Sequence, residues 1–284
     1  MAPWARRRRC CRLRRRDPAP RRYHGAVTTL RTQALAVLLE PDPWRKAARA
    51  LALSDDLPVG PDEPIPAPAG IPGRPARPEL VAHTSIRQRS IKAPDGLAAL
   101  MHALAHIEFN AVNLAADLCF RFAGMPEAFY RDWARVAREE ATHFGLLDDR
   151  LVELGHRYGD FPAHNALWDM AEKTRHDLLA RIALVPRTLE ARGLDASVPI
   201  RNKLVSVGDR RGAAILDIIL RDEIGHVAVG NRWYATLCAQ RGLDPIATYA
   251  ELAARHGAPR LRGPFNREAR RAAGFSEEEL LRLG

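Results

Sequence analysis

The chain has 284 residues, 46% hydrophobic and 27% charged, with a formal net charge of +10. That is enough apolar material for one sizeable core, too well patterned for a disordered chain, and without any apolar run near the ~18–20 residues that span a bilayer. Its four cysteines, Cys10, Cys11, Cys119 and Cys238, form no CxxC and no disulfide framework, so a reducing cytoplasm is the expected compartment.

The charge is concentrated at the start. Residues 1–22 carry ten arginines and one acid, Asp17, which leaves residues 23–284 at +1. This stretch lacks the apolar core of a secretory signal. It is expected to be a disordered basic tail, dispensable for helicity and metal content, or to be translated from a start codon placed too far upstream. Clustered arginines can also bind nucleic acid or an anionic surface.

Residues 23–92 read as N-terminal helices and a Pro-rich connector packed on the rest. Leu30, Ala34, Val37 and Leu38 recur at helical spacing, Asp42-Pro43 marks a stop and a new start, and Trp44, Ala47, Leu51 and Leu53 follow. Residues 57–80 then hold eight prolines, and chain without amide donors at so many positions crosses a surface rather than building a helix.

Residues 93–242 contain four long apolar-periodic stretches bounded by Gly or Pro. The first runs from Pro94-Asp95 to about Phe122 and the second over about 127–157. The third runs over about 164–192, kinked by Pro186 and closed by Gly193. After a loop of about 15 residues containing Pro199 and Gly208, the fourth runs from about 209 to 241. Residues 243–284 form a C-terminal extension with helices near 245–256, 266–273 and 276–282, the last capped by Ser276 with Glu279. Strand alternation is nearly absent. The fold class is all-α, a four-helix bundle with extensions at both ends.

The second and fourth stretches each contain Glu-x-x-His: Glu140 with His143, and Glu223 with His226. Residues i and i+3 share a helix face. One such motif is cheap, since chance supplies it in any charged helix; two in alternate long helices are less so. The first stretch adds Glu108, whose face is otherwise apolar (Met101, Leu104, Ala105, Ala111, Val112), and the third adds Glu190. An unpaired carboxylate in a bundle core costs several kcal/mol, so pairing or metal binding is expected. Glu108 precedes Glu140 by 32 residues and Glu190 precedes Glu223 by 33, which places ligands at matching heights in each helix pair. The set Glu108, Glu140, His143, Glu190, Glu223 and His226 is that of a dinuclear metal centre. Four carboxylates balance two divalent cations. Glu140 and Glu223 are expected to bridge the metals, and Glu108 and Glu190 to be terminal ligands. With no cysteine in the set, iron is expected, with manganese as the alternative.

These residues resemble the ferritin-like diiron-carboxylate superfamily and, more narrowly, the bacterial ferritin-like family of unknown function known as DUF455. The stretches that carry the resemblance are Pro75-Ala-Arg-Pro78, His106-Ile-Glu108-Phe-Asn-Ala111, Glu139-Glu-Ala-Thr-His143-Phe144, Val185-Pro-Arg187-Thr-Leu-Glu190-Ala-Arg-Gly-Leu-Asp195, Ile219-Leu-Arg-Asp-Glu-Ile-Gly-His226-Val227 and Phe265-Asn-Arg-Glu-Ala-Arg270. It covers about residues 24–275, and all six expected metal positions are filled. It implies a ferritin-like bundle whose superfamily includes oxygen-dependent hydroxylases, one acting on a modified transfer-RNA base, and ferroxidases.

The function expected is a dimetal oxidoreductase of oxidase or oxygenase type acting on a small or tethered organic substrate, with dioxygen or peroxide and an electron donor. Two alternatives stand beside it: an iron-oxidising or iron-storing protein, and a non-enzymatic helical or RNA-binding protein using the basic tail.

Neighbouring residues have narrower expectations. His102 and His106 point away from Glu108. Asp222 and Glu139 either pair with a ligand imidazole on a neighbouring helix or make ordinary ion pairs. Arg187 meets a site-edge carboxylate, an anionic substrate or a structural partner, and Arg192 serves a helix C-terminus. His176 is too far along its helix to join the site. Trp133, Trp168 and Trp233 are packing residues, and Tyr130 and Tyr234 are not assigned to the centre.

Overall fold

The computed structural model describes residues 28–87 and 89–283; the basic tail, with Cys10 and Cys11, lies outside them. The described chain folds as α1 (Leu30–Leu39), α2 (Pro43–Leu51), a short 3-10 turn (His83–Ser85), α3 (Gly96–Arg121), α4 (Glu127–Glu153), α5 (Ala166–Lys173), α6 (Leu178–Leu184), a π turn (Val185–Glu190), α7 (Ala191–Ser206), α8 (Arg210–Gln240), α9 (Pro245–His256), α10 (Arg267–Ala272) and α11 (Glu277–Leu281). Among the described residues there is no sheet, only one isolated bridge between Leu80 and Ala163. Several starts are set by a polar side chain that satisfies free amides. Asp42 accepts from Arg45 N at 2.9 Å, Asp209 from Gly212 N at 2.9 Å, and Ser276 forms the expected reciprocal box with Glu279. Such caps contribute about 1 kcal/mol each.

The bundle is built from α3 against α4, α7 against α8, and α4 against α8, with α6 and the π turn also on α8. Two apolar cores fill its ends. One contains Val112, Leu118, Phe129, Trp133, Ile182 and Trp233 beneath α1; the other contains Met101, Phe109, Phe144, Leu151, Leu216 and Ile219. A third, smaller cluster seats α10 and α11 through Ala273, Phe275 and Leu280 against Ala191, Leu194 and Val227.

The third helix differs from the sequence expectation. It does not run from 164 to 192 and stop at Gly193. α5 ends at Lys173, and α6 restarts after Asp177, whose side chain accepts from Ala180 N at 3.1 Å. Arg181 spans the break: its guanidinium donates to Thr174 Oγ1 (3.0 Å), to the Ala171 carbonyl and to the buried Asp117. Helical structure then continues without a loop to Ser206, with Gly193 and Pro199 inside α7. A mid-helix proline costs about 3 kcal/mol. Burial of Ala191, Leu194 and Leu204 as α7 packs on α8 overrides it, and Ser197 Oγ ties back to the Gly193 carbonyl at 2.7 Å. The long third element is therefore Leu178–Ser206, and Glu190 lies near its middle, as Glu108, Glu140 and Glu223 do in α3, α4 and α8.

At Pro186 the helix widens into a π turn, where a kink was expected. Thr188 Oγ1 donates to the Ala183 carbonyl at 2.7 Å within this turn. Gly230 of α8 lies opposite; a Cβ there would stand 3.0 Å from Pro186 Cβ, so a side chain at this position would push the two segments apart by a few tenths of an ångström.

The Pro-rich connector is fixed to the bundle by buried cations. Arg31 donates to the carbonyls of Gly60 (2.8 Å), Pro61 (3.1 Å), Glu63 (2.7 Å) and, at the end of α3, Phe120 (2.8 Å). Lys46 Nζ donates to the Leu38 and Gly73 carbonyls (3.2 and 2.9 Å) and to Asn113 Oδ1. Burial pushes the Lys46 ammonium down to about 7.

Candidate metal centre

Between the two apolar cores, at mid-height, lies a polar layer. Glu108 on α3, Glu140 and His143 on α4 and Glu223 on α8 offer ligand atoms that all lie within 4.8 Å of one another, all four residues buried. His226 joins them: its Nδ1 is 3.0 Å from Glu140 Oε1 and 3.6 Å from Glu223 Oε1. His143 Nδ1 is 3.2 Å from Glu108 Oε2 and 3.4 Å from Glu140 Oε2. Glu140 thus sits between the two imidazoles, one oxygen toward each. Glu190, at the end of the π turn, is half-buried, with its Oε2 enclosed, and feels the charges of Glu223, Glu140 and His226.

The opposite edge of each imidazole is held by a carboxylate. His143 Nε2 is 3.1 Å from Asp222 Oδ2, and His226 Nε2 is 2.8 Å from Glu139 Oε2. Each acid immediately precedes the glutamate of the other motif, so the two Glu-x-x-His helices orient each other's histidines. Both roles open to Asp222 and Glu139 are realised: besides the imidazole, Asp222 accepts from Arg221 (2.8 Å) and Glu139 lies 3.9 Å from Arg135. With Nε2 directed to a carboxylate, Nδ1 of each ring faces the cluster. That ring orientation is what a metal-binding histidine requires.

Charge in this layer is unbalanced. Burial, then repulsion from Glu140, holds the Glu108 carboxyl well above the usual range. Burial with the Glu223 and Glu140 charges does the same to Glu190, and burial with Glu140 raises Glu223. For Glu140, burial opposes ionisation, but His226 and His143 outweigh it and keep it ionised. Burial likewise opposes charge on His143, yet Glu108 and Glu140 raise it to about 11. His226 is raised in the same way by Glu140 and Glu139. Without cations the cluster holds itself together with protons.

Several of its polar atoms find no hydrogen-bond partner among the described residues: both Glu140 oxygens, Glu190 Oε2, Glu223 Oε2 and His226 Nδ1. The 3.0 Å approach of His226 Nδ1 to Glu140 Oε1 is close in distance but not aligned as a hydrogen bond. Buried carboxylate oxygens left bare cost free energy. A set of oxygens with two correctly turned imidazoles fits hard or borderline divalent cations. The layer is a buried Glu/His cluster able to coordinate a dimetal site.

The chain matches the family described as "Protein of unknown function (DUF455)" over residues 39–281. It belongs to the DUF455 family. A protein of Haemophilus influenzae (strain ATCC 51907 / DSM 11121 / KW20 / Rd), described as an uncharacterized protein, is 49% identical to this DUF455 chain over 213 residues, 72% of the chain and 74% of that protein. No solved structure matches the chain.

The remaining sequence expectations sort by position. His102 and His106 point away from the cluster and are buried. His106 meets the Tyr158 hydroxyl (2.8 Å) and the His164 carbonyl (3.0 Å), and His102 Nε2 accepts from Gly159 N (2.9 Å). Burial lowers both imidazoles to about 4. Tyr130 Oη donates to the Phe122 carbonyl and Tyr234 Oη to that of Pro245, and neither joins the layer. Arg187 does not meet a site-edge carboxylate, because three residues within a π turn no longer return to one face; it pairs with Glu279 of α11. Arg192 lies exposed in the first turn of α7, not at a helix C-terminus, since no helix ends there. The buried Arg181–Asp117–Arg121 network escaped the sequence reading. Its only local signal was Asp117 four residues before Arg121, the only two charges in α3 after Glu108.

Proposed function

We propose that this centre holds two divalent metal ions, iron or manganese, and that the protein is an oxidoreductase of oxidase or oxygenase type acting on an organic substrate in the reducing cytoplasm. Glu108, Glu140, His143, Glu190, Glu223 and His226 would hold the metals. The observation that carries the proposal is the group of bare, buried carboxylate oxygens facing two imidazoles whose outer nitrogens are tied to Asp222 and Glu139. Bound there, such metals would supply the redox capacity and Lewis acidity that the side chains lack.

The chain's own residues do the rest. Asp222 and Glu139 keep the imidazole Nδ1 atoms unprotonated toward the centre once a cation is present. Glu108, Glu190 and Glu223 surrender their protons on loading, which makes metal uptake proton-releasing and tighter at higher pH. The apolar cores above and below exclude bulk water, which strengthens every charge interaction in the layer. No helix among the described residues is long and apolar enough to cross a membrane.

The test is elemental analysis of freshly purified protein, with anomalous scattering to place each metal. Two metals per chain are expected, and Glu140→Ala or Glu223→Ala should each lose at least one. Retention of two metals in both variants with unchanged spectra would reject the ligand set. Metal-dependent oxygen consumption with candidate reductants then separates an oxidase from a site that only stores iron.

A further inference from the structure

Arg187 of the π turn and Arg270 of α10, neither of them used by the metal centre, lie on another side of the π turn. Arg270, fully buried, donates to both oxygens of Asp195 (2.9 and 2.6 Å) and to the Ala191 carbonyl (3.3 Å). Arg187 lies over the rings of Tyr234, Tyr249 and Phe275 at 4.6, 5.2 and 4.9 Å. Phe275 also faces Arg270, at 5.3 Å. Arg187, Tyr249, Arg270 and Phe275 wall a cavity of about 840 Å³ bounded by α9, the coil after it, and α10–α11. None of the six Glu/His residues lines it. Its volume suits a small-molecule ligand.

Its charge is one-sided. Five arginines line the cavity, Arg187, Arg260, Arg262, Arg270 and Arg282, against a single acid, Glu279. Glu279 is taken by Arg187 and by Ser276, Asp195 by Arg270, and Glu278 by Arg282. Arg260 and Arg262, exposed on the coil, have no ion-pair partner among the described residues. Within the wall, Arg187 Nε and Arg270 Nη1 are buried donors with no acceptor among the described residues. Buried donors left unpaired are rare and costly, and they mark a place where an acceptor is missing. Between the cations the lining is apolar or aromatic, with Ile246, Tyr249, Leu261, Phe265 and Phe275.

We infer that this cavity binds an anionic small molecule with an aromatic or acyl body. The anionic head meets Arg260 and Arg262 at the mouth and supplies the negative charge that the walls lack, while the body lies against Tyr249, Phe265 and Phe275. Guanidinium groups are suited to both phosphate and carboxylate heads. The site is separate from the Glu/His layer and stands whether or not that layer binds metal.

Isothermal titration of the full chain with 1-naphthyl phosphate, 1-naphthoate and uncharged 1-naphthol tests this. At least one of the two anions should bind at least about ten-fold more tightly than 1-naphthol, and the tighter of the two identifies the head group. The double variant Arg260→Ala/Arg262→Ala should weaken that anion by about ten-fold or more, with melting temperature and metal content unchanged. Both side chains are exposed and make no ion pair that their loss would break, so folding is not at issue. The arginines of residues 1–22 are present in both proteins, so anion binding by that stretch does not change between them. Equal affinity for the anions and 1-naphthol, undiminished binding in the double variant, or no binding at concentrations on the order of millimolar would each overturn the inference.

Discussion

Asp222 and Glu139 decide what the two histidines can do. An imidazole whose Nε2–H is held by a carboxylate presents a basic Nδ1 and loses little rotational freedom when it takes a ligand. Replacing Asp222 with Ala releases His143 Nε2 from its 3.1 Å contact. Metal affinity should fall about 10–100-fold while helicity stays unchanged, which competition against a chromophoric chelator would measure. The protonation of His143 also has a stability consequence. Its pKa rises from 6.5 to about 11 in the folded metal-free protein. Between those values the folded chain holds a proton that the unfolded chain has released. The stabilisation is therefore complete below pH 6.5 and is lost as pH rises toward 11. Lys46 works in the opposite direction over part of this window, since burial lowers it to about 7, but it does so with or without metal. The melting temperature of metal-free protein should thus fall relative to the metal-loaded form as pH is raised above 6.5, and parallel curves would show that His143 is not held as its contacts indicate.

At the scale of elements, the π turn is the feature on which the position of Glu190 rests. It admits Pro186 without the amide that an α turn would need, and it ends at the glutamate. Its close packing on Gly230 leaves no room for a branched side chain. Gly230→Val should destabilise the fold by about 1–3 kcal/mol through overpacking. It should also lower metal stoichiometry, because the turn can relieve the clash only by moving away from α8 with Glu190 attached. Denaturant titration and elemental analysis of the same preparation would read both effects. The Glu-x-x-His helices need no such device: α4 and α8 are regular through their motifs, and periodicity alone was enough to place Glu140, His143, Glu223 and His226 on inward faces.

Over the whole molecule, the N-terminal arm is held both by packing of α1 and α2 on α3 and α4 and by hydrogen bonds from buried cations to backbone carbonyls. Arg31→Ala would leave four carbonyls without their donor, at a cost of about 3 kcal/mol. The arm should become sensitive to protease between α2 and α3, while metal content, set in the bundle beneath, should persist; limited proteolysis alongside metal analysis would check both. Nothing in the local sequence announced this role for Arg31, which sits among apolar residues of a short helix and is recognisable as a clamp only when the connector folds over it.

The order of the helices, the two Glu-x-x-His pairs and the inward Glu108 were legible in the chain, because hydrophobic period and i, i+3 spacing are local quantities that survive without knowledge of what a helix packs against; the family was legible separately, as a resemblance of particular strings such as 185–195. The course of the third helix was not. Gly193 and Pro199 are helix breakers by propensity, and only contact with α8 supplies the burial that carries α7 through them. Imidazole pairing of Asp222 and Glu139 was one of two options the sequence left open, and which histidine each meets, like the Glu279 partner of Arg187, was decided only by elements distant in sequence. Periodicity assigns a side chain to a face; which residue waits on the other side is settled by packing between helices.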